Sequence, residues 1–134
     1  MSVLDDLAAK LAADGVGVLA STIFLSSAAV IPAGDGPFIS LNETGGTAPT
    51  RTQTAVRATL NPSVQVLVRA ATYQAARAKA WDAYQSLDGV FNADLNGMRY
   101  LRIAAKQEPT DMMLDATGER VQVVFNLEIE KYPS

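Results

Sequence analysis

Residues 62–87, PSVQVLVRAATYQAARAKAWDAYQSL, decide the fold. Val64, Val66 and Val68 alternate with Gln65, Leu67 and Arg69, the period of a strand buried on one face and half buried on the other. Within three residues the period changes. Tyr73, Ala76, Ala80, Trp81, Tyr84 and Leu87 follow helical spacing, and Thr72 stands where an N-cap is expected. The alanines on that face let the helix lie close on a sheet. Trp81 and Phe125 are therefore expected to pack together or on a common sheet face, and Tyr73 and Tyr84 to face the core. Asp88-Gly89 ends the helix.

Further out, Ser2–Asp14 reads as a first helix. Leu4, Leu7, Ala8 and Leu11 make one apolar stripe, Asp5 and Asp6 sit in the first turn where the dipole favours acids, and Gly15 stops it. Thr22–Ser26 is a short apolar strand, and Pro32–Pro37 is turn chemistry. Phe38–Asn42 is the next strand, expected antiparallel to the first because the link is short. Glu43–Gln53 (with Glu43, Thr44, Gly45, Gly46, Thr47, Ala48, Pro49 and Thr50 at its heart) has no apolar run and reads as an exposed, mobile loop. Thr54–Leu60 is a candidate irregular strand. Asn92–Gly97 reads as a turn before the strand Met98–Ala105. In Glu119–Tyr132, Val121, Val123, Phe125, Leu127 and Ile129 point one way and Gln122, Asn126, Glu128 and Glu130 the other, with Val124 the exception. The sum is α+β: a single mostly antiparallel sheet with two helices packed on one face. With no repeat and no linker, residues 1–134 are expected to be one domain.

Composition excludes much chemistry. An apolar fraction of 49% and a charged fraction of 19% belong to a folded globular chain. There are no cysteines and no histidines. Disulfides, thiol nucleophiles, histidine-based triads and histidine metal ligands are all out of reach, so an enzyme is not expected. The formal net charge of −3 argues against a nucleic-acid binder. Residues 15–34 hold no charge, but their glycines, serines and proline break them too often for a membrane span. The acids before Lys10 are wrong for a signal peptide.

The isolated motifs read as structural. Thr44-Gly45-Gly46-Thr47 lacks the lysine and spacing of a phosphate-binding loop. Asp111 and Asp115 fall in PTDMMLDATGER, between strands, where acids and glycine serve turns; no metal or cofactor is expected. Tyr73, Trp81 and Tyr84 could stack on bases, but their spacing makes them core-facing. Arg69, Arg99 and Arg102 read as cross-strand partners for Glu128 and Glu130 rather than phosphate contacts.

The charge is uneven. Residues 51–106 hold eight bases and three acids, a balance of +5, while residues 1–50 and 107–134 each carry −4. Either this is chance clustering on a solvated surface, or the subunit has a basic and an acidic flank that meet head to tail. On the second reading Arg51, Arg57, Arg77 and Lys79 face Asp5, Asp6, Asp111 and Asp115 of the next copy.

In order along the chain stand a helix running into Gly15-Val16-Gly17; a strand, a proline turn and a strand running into Glu43-Thr44-Gly45-Gly46 and Ala48-Pro49; Pro62–Arg69 with its alanine-rich helix; Gly97–Ile103; and Asp115–Arg120 leading into the last strand. This order resembles the tail-terminator or minor capsid family of long-tailed bacteriophages. The resemblance spans Leu4 to Tyr132. It implies a structural virion protein, assembled in the host cytoplasm, that forms a hexameric ring on the tail tube. Such a ring ends tube polymerisation and joins the tail to the head connector or stopper protein, and DNA passes through it without specific binding. It implies no catalytic residues. A head-completion protein of the phage neck is the nearest alternative. A small ligand- or peptide-binding module using the Glu43–Gln53 loop is the alternative from another class.

Overall fold

The computed structural model describes residues 3–17, 22–25, 37–45, 47–50, 59–95, 97–114 and 121–132. The elements in chain order are α1 (Val3–Ala13), β1 (Ile23–Leu25), β2 (Phe38–Glu43), β3 (Thr47–Thr50), β4 (Thr59–Asn61), β5 (Ser63–Ala70), α2 (Tyr73–Leu87), β6 (Val90–Leu95), β7 (Met98–Ala105), β8 (Thr110–Leu114) and β9 (Val121–Lys131). The fold is α+β.

The sheet is organised around β9. Along one margin it pairs antiparallel with β5, Val66 opposite Phe125, and then with β4, Leu60 opposite Lys131. Pro62 separates β4 from β5; it has no N–H to give a ladder, but its carbonyl accepts from Ile129 N at 3.1 Å. Along the other margin β9 pairs with β8 and then with β7. β2 continues the sheet beyond β5, and β6 continues it beyond β7.

Alternation puts one residue set of each strand into the core. Val64, Val66, Val68, Leu41, Ile39, Phe125, Leu127 and Ile103 are all buried on one face. Each such side chain contributes about 1.5–3 kcal/mol relative to an exposed one. α2 covers this face over β5, β9 and β7. It approaches through Ala76, Ala80 and Ala83, whose methyl groups leave room for the strand side chains. α1 packs beside it, touching β1 and β2 at one side of the sheet and β6 at the other, so the sheet curls until both sides reach one helix.

The ends of α2 are built as the sequence suggests. Thr72 Oγ1 accepts from Ala75 N at 3.2 Å, and Asp88 N donates to Tyr84 O at 2.8 Å. Asp88 Oδ1 also accepts from Ala105 N at 2.7 Å, and Gly89, at φ 83°, donates to Ile103 O. The helix therefore passes into β6 through the two-residue turn Asp88-Gly89.

Five expectations need correction. β1 runs parallel to β2, with Ile23 opposite Ile39. The link over residues 26–37 is about a dozen residues, enough for a crossover, so its length did not force a hairpin. Thr47–Thr50, read as part of a loop, pairs with β4. Thr110–Leu114, read as a turn segment, pairs with β9. Asn92–Leu95, also read as part of a turn, belongs to β6, and Leu95 pairs with Met98 of β7. Finally, Tyr73 is exposed and Trp81 only half-buried. Trp81 and Phe125 are joined on the covered sheet face through the Tyr84 ring, 5.0 Å from Trp81 and 5.7 Å from Phe125 and edge-on to both.

Candidate subunit interface

Of the eight residues proposed from charge for a subunit contact, the described ones do not form one set. Arg51, Arg57 and Asp115 lie outside the described residues. Asp111 takes a place in β8 opposite Val123. Arg77 is exposed on α2, its guanidinium 5.4 Å over the Trp81 ring. Lys79 is half-buried and bonds within the subunit, Nζ donating to Val16 O at 2.9 Å. Asp5 is half-buried in the first turn of α1. Of the expected loop, Glu43 is the exposed last residue of β2, opposite Val64, and Thr44 and Gly45 are exposed after it, with Thr44 N bonded to Ser63 O, while Gly46 is outside the described residues.

Asp6 is the correction. It is 1% exposed, and its Oδ2 accepts from Tyr100 Oη at 2.5 Å and stands 4.0 Å from Lys131 Nζ. Lys131 is itself buried, with Nζ 5.2 Å over the Tyr100 ring. The three residues come from α1, β7 and β9 and tie the first helix to the sheet. A carboxylate in this position serves its own subunit and offers nothing to a neighbour. Burial, the bond to Asp6 and the Asp6 charge all push the Tyr100 phenol far above the ordinary tyrosine range. At the other end of α1, Lys10 and Ser86 both bond Asp14, at 2.6 and 2.5 Å, and hold its carboxyl below the usual range.

The sheet face away from the helices carries the polar chemistry. The row Asn42, Gln65 and Asn126 crosses β2, β5 and β9 in register. Arg102 stands opposite Glu130 and 4.0 Å from Glu128, as the cross-strand reading expects, whereas Arg99 pairs with Asp94 at 3.4 Å. Where Pro62 interrupts the β4–β5 margin, a groove of about 500 Å³ opens, lined among others by Asn61, Arg102, Lys106, Asn126 and Glu128. Phe91 lies beside this region. It is opposite Arg102 in the β6–β7 ladder and 77% exposed. The charge-based reading missed it because it is neutral, and because the rest of β6 after it, Asn92–Leu95, was taken for part of a turn.

Among the described residues no three acids gather as a metal site, and no helix is long and apolar enough to cross a membrane. Fold and surface together define a small α+β subunit with a curled sheet, an open strand at its margin and ion pairs on its outer face. A solved chain described as the virion of a native gene transfer agent particle has a similar fold, at a TM-score of 0.59 and 15% identity, over 99% of this chain and 87% of that one. No curated protein matches. The family model described as bacteriophage tail terminator protein matches residues 10–132, and the chain belongs to that family. It is thus a structural component of a phage virion, with its role in tail assembly.

Proposed function

We propose that this protein caps the phage tail tube as a ring of identical subunits, hexameric as in the proteins it resembles. The ring ends tube polymerisation and joins the tail to the head connector, and DNA passes through it without specific binding. The observation that carries this reading is the family match over residues 10–132. A closed ring needs two different patches that meet. The sheet margins at β1 and β6 differ, and the uneven charge along the chain supports a head-to-tail contact. Of the four bases proposed for that contact, Arg77 is the described one that stays exposed. The net negative charge keeps the ring from gripping the DNA phosphates.

The test is a polymerisation assay with purified tail-tube protein. Added protein should stop tube growth, and electron microscopy should show one ring at the tube end. Tubes that lengthen unchanged would overturn the reading, and binding to isolated heads but never to tubes would move the protein to the neck of the particle.

A further inference from the structure

From the residue pattern of α1 and the buried network at its first turn we infer that Asp6 pins the register of this helix: it decides where α1 sits on the sheet. The apolar stripe decides this weakly. α1, VLDDLAAKLAA, buries Val3, Leu4, Leu7, Ala8 and Leu11. A slide of four residues moves the helix about 6 Å along its axis and turns its face by only about 40°. Leu7, Ala8, Leu11 and Ala12 then take the places of Val3, Leu4, Leu7 and Ala8. All four places still hold apolar side chains.

The charged residues do not repeat in this way. Asp6 accepts from Tyr100 Oη and stands 4.0 Å from Lys131 Nζ, with the two charged side chains 1% and 8% exposed. The same slide puts Lys10 where Asp6 was, so the Lys131 ammonium meets a second cation at a site shielded from water. The opposite slide brings Ser2 to that place and leaves Lys131 buried without its carboxylate. It also forces Leu4 into the space of Ala8. One arrangement therefore satisfies Lys131 and Tyr100 together.

Bonds at the far end of α1 favour the same position, but through wetter groups. Asp14 meets Lys10 and Ser86 at the surface, and Lys79 reaches Val16 O from a half-buried site. Groups of this kind bond to water when they part, so they resist a slide less than a buried pair does. A buried ion pair adds little net stability, and the setting of register is its best-attested use. Here register has a consequence for shape. α1 touches β1 and β2 on one side and β6 on the other, so its position sets the spacing of the two sheet margins. A ring closes only from copies of one shape. That consequence rests on the ring reading above, whereas the register itself does not.

The test reads the position of α1 in the full chain. The protein has no cysteine, so nitroxide labels can be placed at Ala13→Cys on α1 and Gln74→Cys on α2, both exposed. Labelled subunits are diluted into unlabelled protein of the same sequence, and the label separation is measured by pulsed electron resonance. With the native network there should be one separation. The triple variant Asp6→Leu, Tyr100→Phe, Lys131→Met removes every polar group of the network. It should keep the wild-type denaturation midpoint or exceed it, yet show a second separation, from a helix displaced by about 6 Å, in about a tenth of the molecules or more. A folded triple variant with the single wild-type separation overturns the inference. If the triple variant does not fold, Asp6→Asn, Lys131→Met decides on the same readout, because it removes both charges and keeps the Tyr100 bond. A second separation supports the pin, and a single wild-type one overturns it. Ring assembly is not part of the readout, so failure of the ring reading leaves this result standing.

Discussion

Replacing Asp6 by Asn should destabilise the subunit by about 3–5 kcal/mol, although a surface acid in a first helical turn contributes only about 0.3–1 kcal/mol. The difference lies in what surrounds it. The amide oxygen can still accept from Tyr100 Oη, so that bond survives. What disappears is the charge facing Lys131, whose side chain is 8% exposed and 4.0 Å away. At that separation, with an effective dielectric near 20, two unit charges attract by about 4 kcal/mol. That roughly offsets their desolvation, so the intact pair adds little net stability, whereas removing one partner strands a buried ammonium. For a domain of total stability about 5–15 kcal/mol the effect is large. With a urea m-value of about 2 kcal/mol/M it moves the midpoint by roughly 2 M. Trp81, the single tryptophan, gives the fluorescence signal. Lys131→Met added to Asp6→Asn removes the stranded charge and should recover at least about 1 kcal/mol. An Asp6→Asn cost below about 1 kcal/mol at unchanged m-value, or strict additivity with Lys131→Met, would refute the argument.

Two further outcomes follow from the core. The Tyr100 phenol ionises far above the 10.0 of an unfolded tyrosine, so below pH 10 its proton adds no pH dependence. Above pH 10 the unfolded chain releases a proton that the folded chain keeps, and stability falls by up to about 1.4 kcal/mol per pH unit. Denaturation between pH 9 and 12 should therefore show a steeper loss in wild type than in Tyr100→Phe, and equal slopes would contradict the assignment. Phe125, fully buried beneath Tyr84, should cost about 3–5 kcal/mol as Phe125→Ala and less than about 1.5 as Phe125→Leu, measured by urea denaturation.

Residues 62–87 and the last strand were legible because their information is local. Period-two alternation in β5 and β9 and helical spacing in α2 are written in the order of the residues, and the caps at Thr72 and Asp88 depend on near neighbours. β6 was written more faintly. Being marginal, it buries little of either face, so VFNADL shows no clean alternation. The signal that marks the hairpin is Asn96-Gly97 between Leu95 and Met98, the dipeptide favoured in two-residue turns.

What only the tertiary structure decided is non-local. A dozen-residue link permits β1 to run either way beside β2, and the pairing partner settles it. Asp6 has the sequence context of a helix-capping surface acid. It becomes a buried ion-pair member because Tyr100, 94 positions away, and Lys131 arrive on strands that α1 covers. The segment charges likewise follow from the sequence. Which of them reach solvent, and that neutral Phe91 stands exposed among them, depends on how the sheet curls around its helices.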